Sequence, residues 1–143
     1  MQLSTIIAGK GTEVATVKPS AMVADVVGQL TRRRIGALVV SPDGSTIVGI
    51  VSERDVVRAV SAGPEALYKE VSEIMTSDVL CAPPEAHVDE IMHVMTDNRV
   101  RHIPVTDPQG ALVGIVSIGD IVKSRLTELE HEHQAMVDYI TSA

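Results

Sequence analysis

One seven-residue phrase occurs twice in this chain, as GIVSERD at residues 49–55 and as GIVSIGD at residues 114–120. The two copies are 65 residues apart, and residues 14–57 align without a gap with residues 79–122. A solenoid needs at least three shorter repeats, so two units of this length are better explained as a pair that packs face to face. The sequence therefore predicts a pseudo-symmetric pair with a cleft between its halves, and we expect the function to lie in that cleft.

Each repeat has the order strand, helix, strand, strand, helix. A short strand (residues 13–17 and 78–82) runs into a turn that contains proline, and an amphipathic helix follows. The next two strands, IGALVV with STIVGIVS and VRHIPVT with ALVGIVS, are joined by Ser-Pro-Asp-Gly or Asp-Pro-Gln-Gly turns. The fold class is therefore α/β (α+β). We predict a first repeat at 1–62, a second repeat at 63–125 and a C-terminal helical extension at 126–143.

The last helix is expected to continue to about Ile140. Its apolar or partly apolar positions are separated by four and three residues in turn: Val122, Leu126, Leu129, His133, Met136 and Ile140. This heptad spacing is typical of a helix that packs on a partner helix. A helix that lies back on its own domain explains the stripe equally well.

The composition excludes several classes of protein. Net charge is −7, and neither Phe nor Trp occurs, which argues against a basic nucleic-acid surface or a base-stacking platform. The single cysteine, Cys81, cannot form an internal disulfide, and its apolar neighbours predict a core position. No signal-peptide or membrane-spanning run is found, so we expect a cytoplasmic protein without membrane contact. No arrangement of nucleophile and base or of metal ligands is predicted, and an enzyme is not expected.

The Ser-x-x-Asp of each phrase stands where a helix begins. One reading is a capping box, in which the serine and the acid satisfy backbone N–H groups of the first turn. The other reading is a binding site, because a carboxylate at a helix N-terminus can accept both hydroxyls of a ribose. Capping alone tolerates other residues, so keeping both Ser and Asp in two copies favours binding.

The chain resembles the cystathionine β-synthase (CBS) motif family. The residues that carry the resemblance are IGALVV…GIVSERD, RVRHIPV…GIVSIGD and the lead-ins LSTI and VSEIM, so it covers nearly the whole chain. It implies a stand-alone tandem pair, often called a Bateman module. Such modules bind adenosine compounds (AMP, ADP or ATP, sometimes NAD or S-adenosylmethionine), usually form disc-like homodimers, require no cofactor and catalyse nothing.

The resemblance also implies two sites, each of which joins one motif's acid to the other motif's strand and hairpin. The first site consists of Ser117 and Asp120 with Lys10, Ala15, Ile35, Gly36 and Ala37. The second consists of Ser52 and Asp55 with Thr76, Leu80, Val100, Arg101 and His102. Since Arg101 and His102 align with Gly36 and Ala37, the two sites should differ in ligand or affinity.

Two functions remain open at this point. The first is a regulatory sensor in which an adenine nucleotide changes the angle between repeats or subunits, and an effector protein reads the change. The second is a structural or interaction module, in which both phrases only cap helices and the terminal helix recruits a partner. The arginines at 32–34 fit a phosphate site or merely the negative end of a helix dipole.

Overall fold

The predicted order of strands and helices is confirmed in the first repeat and, except for its first strand, in the second. The computed structural model describes residues 1–11 and 13–142. The first half contains α1 (Leu3–Lys10), β1 (Thr16–Val17), α2 (Val23–Arg33), β2 (Ala37–Val40), β3 (Gly49–Ser52) and α3 (Glu53–Ser61). Two short 3₁₀ helices follow, Pro64–Tyr68 and Val71–Glu73. The second half contains α4 (Val88–Asn98), β4 (His102–Thr106), β5 (Leu112–Ser117) and α5 (Ile118–Thr141).

Each repeat has its own small sheet. In the first repeat β1 pairs in parallel with β2, and β2 pairs antiparallel with β3. In the second repeat β4 and β5 form an antiparallel pair, and one parallel bridge from Ala82 to Val105 stands in the place of β1. The strands predicted at residues 13–17 and 78–82 were therefore too long.

Burial and proline explain why these first strands are short. Only Val17 and Ala82, at the ends of the two predicted segments, are buried. The prolines that follow end each segment, because they have no backbone N–H to continue the ladder. Toward the N-terminus Thr16 still pairs with Val39, whereas residues 13–15 and 78–81 lie outside the sheets.

Two aliphatic cores lie behind the sheets, and each receives its lead-in segment from the other repeat. The core of the second repeat includes Leu3 and Ile7 of α1, together with Val88, Ile91 and Ile121. The core of the first repeat includes Val71, and Ile74 and Met75 pack against it. The boundaries predicted at 1–62 and 63–125 separate the two repeats along the sequence. In three dimensions, however, the lead-in of each repeat packs into the core of the other.

The glycine that opens each GIVSxxD phrase allows this exchange. A Cβ atom on Gly114 would lie 2.8 Å from Cδ1 of Ile7, and one on Gly49 would lie 3.0 Å from the carbonyl oxygen of Thr76. A side chain at either position would force these lead-in atoms to move, so each glycine lets a lead-in lie directly against the β-strand. The repeated glycine is explained by this close approach.

The last helix extends as predicted, from Ile118 to Thr141. Cys81, which we expected in the core, is exposed, while the adjacent Ala82 is buried. The prediction was wrong because residues 78–81 lie outside the sheet, and only Ala82 bridges to a strand. Within the part of the chain that the structure describes, no helix has both the length and the apolar character to cross a membrane.

Candidate functional site

Both Ser-x-x-Asp phrases form complete capping boxes. At the start of α3 the Asp55 N–H donates to Ser52 Oγ (3.3 Å), and the Ser52 N–H donates to Asp55 Oδ2 (2.9 Å). At the start of α5 the corresponding bonds between Asp120 and Ser117 measure 3.1 and 2.9 Å. The capping interpretation is therefore correct as local structure, and each acid is held at the positive end of a helix.

The first of two clefts lies beside the N-terminus of α3 and is called here the Asp55 cleft. Its volume is about 620 Å³, within the range of small-molecule sites. All seven residues predicted for this site line it: Ser52, Asp55, Thr76, Leu80, Val100, Arg101 and His102. Their contact with a ligand stays a prediction.

The second cleft, the Asp120 cleft, lies beside the N-terminus of α5 and has a volume of about 670 Å³. All seven residues predicted for the other site line it: Ser117, Asp120, Lys10, Ala15, Ile35, Gly36 and Ala37. Residues 13–15 line this cleft and residues 78–80 line the Asp55 cleft, where they form cleft walls instead of strand. Each cleft thus joins an acid from one repeat to strand and lead-in residues of the other.

The carboxylate of Asp55 is enclosed by protein partners. Its side chain is only 8% exposed. Oδ2 accepts hydrogen bonds from the Ser52 N–H and hydroxyl, and Oδ1 accepts one from Thr76 Oγ1 at 3.2 Å. The Arg58 guanidinium lies 3.7 Å from Oδ1. Asp55 is therefore rigidly placed, and a ligand hydroxyl would have to replace or share these partners.

The carboxylate of Asp120 has a different set of partners. Lys10 Nζ donates to Oδ2 at 2.6 Å and also to the Ile115 carbonyl at 3.0 Å. Among the described residues, Oδ1 accepts no hydrogen bond. Partial burial alone would raise the pKa of Asp120, but the bonds from Lys10 and from the Ser117 backbone outweigh it and hold that pKa below its usual range. Asp120 is thus ionised at neutral pH, with one oxygen available.

His102 lies between the clefts and lines both. A Cβ atom on Gly36 would lie 3.0 Å from Cε1 of the imidazole, so the missing side chain of Gly36 makes room for the ring. Burial lowers the pKa of His102, and the nearby Arg101 and Lys10 lower it further, whereas Glu53 and Asp120 act in the opposite direction. The ring is therefore neutral at neutral pH and is in a position to contact groups in either cleft.

The left-handed backbone of two arginines was not predicted from the sequence, although Arg34 belongs to the triplet at 32–34 that was considered for a phosphate site. Arg34 and Arg99 end α2 and α4 with φ values of 55° and 54°, and they line the Asp120 and Asp55 clefts respectively. Glycine is the usual residue at such a helix end, because a side chain there costs energy. Arg34 and Arg99 occupy equivalent positions of the two repeats, and this match in the sequence was a signal that could have drawn attention to them. Their backbone strain is visible only in the structure.

Further cationic groups reach the clefts. Arg54, Arg58 and Arg101 join Arg99 at the Asp55 cleft, and Arg33 joins Arg34 and Lys10 at the Asp120 cleft. Of the arginine triplet noted in the sequence, two members therefore line a cleft, and Arg32 does not. Across residues 1–11 and 13–142 no cluster of three or more His, Cys, Asp or Glu side chains is placed to hold a metal ion.

The family model for the CBS domain matches the chain twice, at residues 11–62 and 71–127. The chain belongs to the CBS domain family. Its CBS pair is 39% identical over 121 residues to the CBS domain-containing protein CBSX3, mitochondrial, of Arabidopsis thaliana, and the match covers 81% of this chain. The chain spans 58% of the length of that relative.

Solved structures share the CBS fold. A CBS-domain containing protein from Agrobacterium tumefaciens is 38% identical, with a TM-score of 0.84 over 87% of this chain and 99% of that one. A CBS domain protein from Pyrobaculum aerophilum, complexed with AMP, is 26% identical, with a TM-score of 0.74 over 84% and 89% of the two chains. The CBS pair of protein MJ0100 was solved with 5′-methylthioadenosine and S-adenosylmethionine; it is 25% identical, with a TM-score of 0.77 over 91% and 98%.

Proposed function

We propose that this CBS pair is a regulatory module that binds adenosine-containing ligands in the Asp55 and Asp120 clefts. The observation that carries the proposal is the composition of each cleft, in which the acid at a helix N-terminus of one repeat faces strand and lead-in residues of the other. A ligand bound there touches both repeats. Its binding energy can therefore depend on how the two repeats are arranged.

The ribose of the ligand is expected at the acids. A carboxylate accepts two hydroxyl hydrogen bonds, and Asp120 offers a free oxygen for this purpose. Adenine would lie between aliphatic walls, with Leu80, Val79 and Val100 in one cleft and Val14, Ala15 and Ile35 in the other. Specificity for the base would come from backbone amides, since no Phe, Tyr or Trp lines either cleft and His102 is the one ring that could stack on it.

Phosphate groups are expected mainly at the Asp55 cleft. Four arginines line it, namely Arg54, Arg58, Arg99 and Arg101. Guanidinium groups bind phosphate oxygens in a bidentate manner, and several together suit a di- or triphosphate. In the Asp120 cleft Lys10 is already bound to the acid, which leaves Arg33 and Arg34 for a ligand anion. We therefore assign ADP or ATP to the Asp55 cleft and a less charged adenosine compound, such as AMP, to the Asp120 cleft, with NAD a further candidate.

The shared chemistry of the relatives' ligands supports this class. AMP, 5′-methylthioadenosine and S-adenosylmethionine, which occupy two of the solved CBS structures, have the adenosine group in common. Regulation would follow if one arrangement of the repeats binds the ligand better than another, and an effector protein distinguishes the two. The change in equilibrium cannot exceed the ligand's difference in affinity for the two arrangements.

A second candidate function is a module without a nucleotide. The two complete capping boxes favour it, because they give both serines and both acids a structural role. In that case the exposed apolar face of α5 would carry the function by binding another protein.

The test is a thermal-shift and calorimetry panel with AMP, ADP, ATP, NAD, S-adenosylmethionine and GTP on wild type, Asp55→Asn and Asp120→Asn. A ligand at one hundred times its Kd stabilises the fold by about 2.7 kcal/mol, which shifts Tm by roughly 5–10 °C in a chain of this size. We expect only the adenosine compounds to raise the Tm of wild type. We expect Asp55→Asn to abolish binding in the Asp55 cleft and Asp120→Asn to abolish binding in the Asp120 cleft.

Asparagine retains the size and one capping oxygen of aspartate, so both variants should remain folded. If no adenosine compound shifts wild type that mass spectrometry shows to be free of ligand, the sensor function is wrong. Equal shifts in wild type and both variants would instead show that the acids have no part in binding.

A further inference from the structure

The two clefts share one wall, which is formed by His102 and Gly36. Both residues line both clefts. A Cβ atom on Gly36 would lie 3.0 Å from Cε1 and 3.2 Å from Nε2 of the imidazole, so the ring rests directly on the glycine backbone. The Gly36 carbonyl accepts a hydrogen bond from the Glu53 N–H at 3.0 Å, which ties this wall to the start of α3.

The imidazole of this wall has no counterpart in the first repeat. At the repeat offset of 65 residues, Ala37 aligns with His102, and Gly36 aligns with Arg101. Neither Ala37 nor Gly36 has a side chain that can donate or accept a hydrogen bond. Each cleft therefore has an acid of its own, but the two clefts have a single imidazole between them.

The ring of His102 is neutral, and both of its nitrogens are open to a ligand. Burial and the positive charge of Arg101 and Lys10 hold its pKa below the usual value, against the opposite effect of Glu53 and Asp120. Among the described residues neither ring nitrogen has a hydrogen-bond partner, and neither is sealed from solvent. A neutral imidazole donates from one nitrogen and accepts at the other. It can therefore donate to an anion in only one cleft at a time.

We propose that His102 couples the two clefts, so that a phosphate-bearing ligand in one cleft weakens the binding of a phosphate-bearing ligand in the other. The inference rests on the proposed function, because it requires nucleotides in both clefts. Each ring nitrogen serves one cleft. The first ligand draws the single N–H to its phosphate, and the nitrogen on the other side is left with a lone pair. A phosphate in the second cleft then meets an acceptor instead of a donor and binds less tightly.

This coupling depends on the charge of the ligand. A lone pair on the second nitrogen can accept a hydrogen bond from a hydroxyl or amino group, so a nucleoside without phosphate is not disfavoured. The effect is also reciprocal, since two linked sites must change each other's affinity by the same factor. A module with this wall responds to the ratio of two nucleotides, because each of them opposes the other.

Calorimetry on the full chain tests the coupling. ATP is titrated into wild type alone, with saturating AMP and with saturating adenosine. AMP should raise the Kd for ATP by about fivefold or more, in the usual range of coupling between sites, and adenosine should leave it unchanged. In His102→Ala the Kd for ATP should be the same with and without AMP, because the shared group is gone.

Two variants separate this effect from simple competition. In Asp120→Asn, AMP can no longer act from the Asp120 cleft, so it should not weaken ATP. Any remaining effect of AMP would mean that the two nucleotides compete for the Asp55 cleft. Arg99→Gly is the matched control, since Arg99 lines the Asp55 cleft alone. It should weaken ATP binding, yet AMP should still raise the Kd by the wild-type factor.

The position of the proton gives a second readout, made on the wild-type chain and independent of whether His102→Ala folds. Nitrogen NMR of histidine-labelled protein identifies which ring nitrogen carries the proton, and the signals of His102 are those that disappear in His102→Gln. AMP should move the proton toward one nitrogen, and ATP should move it toward the other.

Three results would overturn the inference. AMP and ATP could bind together without affecting each other, His102→Ala could keep the wild-type factor, as direct repulsion between the ligands predicts, or neither ligand could change the proton position. Each of these leaves nucleotide binding intact. Binding of no adenosine compound at all would contradict the proposed function and this inference together, so the two failures are distinguishable.

Discussion

The Asp55 and Asp120 clefts are formed by the same phrase, yet they use its acid differently. In the Asp55 cleft both carboxylate oxygens have protein partners, and the side chain is nearly buried. In the Asp120 cleft Lys10 binds one oxygen and leaves the other free, and the side chain is 22% exposed. A duplicated motif therefore does not imply two equal sites.

The difference comes from the lead-in segments that cross between the repeats. The lead-in of the second repeat brings the neutral hydroxyl of Thr76 to Asp55. The lead-in of the first repeat is a full helix, α1, and it ends by placing the ammonium group of Lys10 on Asp120. The local cap is the same in both cases, so the neighbour from the other repeat decides how available each acid is.

The largest expected effect is on stability. Asp55→Ala should lower the free energy of unfolding by about 2 kcal/mol, because it removes the nearly buried carboxylate that accepts bonds from the half-buried Ser52 N–H, the Ser52 hydroxyl and the Thr76 hydroxyl. Asp120→Ala should cost only about 1 kcal/mol, as for an exposed cap. Urea denaturation of the two variants measures the difference.

Ser52→Ala and Ser117→Ala are the matched controls, since each removes only the cap hydroxyl from its helix. Their costs should be similar to each other, near 1 kcal/mol. Equal losses for the two aspartate variants would mean that the environments of the acids do not differ in energy as they do in geometry.

A smaller effect is expected from the left-handed arginines. Arg99→Ala and Arg99→Gly both remove a guanidinium from the Asp55 cleft, but only glycine relieves the backbone strain. The glycine variant should therefore be more stable than the alanine variant by about 1 kcal/mol, while both bind ADP or ATP equally weakly. Thermal melting and calorimetry measure the two quantities.

Arg34→Ala and Arg34→Gly should weaken ligand binding in the Asp120 cleft and leave binding in the Asp55 cleft unchanged. Ligand binding that survives Arg99→Ala but not Arg34→Ala identifies the Asp120 cleft as the occupied one. Arginine variants that bind the ligand as wild type does would show that these two guanidinium groups do not contribute to binding.

The smallest effect concerns His102 and pH. Its pKa is lowered in the fold, mainly by burial, so the unfolded chain takes up a proton first as the pH falls. Its contribution to stability is complete above the unfolded value near 6.5 and is lost as the pH falls through the lower folded pKa. The Tm should therefore fall between pH 7 and pH 5, and His102→Gln should reduce that fall.

His93→Gln is the control, because His93 is an exposed histidine on α4. It should leave the pH dependence of Tm as in wild type. Since His102 lines both clefts, His102→Gln should also change ligand affinity in each of them, whereas an effect on one cleft alone would assign the imidazole to that side.

Much of the fold and the composition of the clefts could be predicted, because the information is local or repeated. Helix starts at Ser52 and Ser117 follow from capping residues beside β-branched strands. The fourteen cleft residues followed from the resemblance to CBS motifs and the pseudo-symmetry it implies. The predicted length of the first strands and the predicted burial of Cys81 were wrong, because Val17 and Ala82 are the only fully buried residues of those segments and residues 13–15 and 78–81 lie outside the sheets.

The sequence by itself determined the repeat, the two helix caps, the aliphatic cores and the heptad stripe. These features depend on residue type and on spacing within a few turns of chain. Only the tertiary structure decided that α1 packs on the second repeat, that Lys10 reaches Asp120 and that His102 rests on Gly36 between the clefts. Such contacts join residues more than sixty positions apart, and which partners meet depends on how the packed cores bring distant segments together.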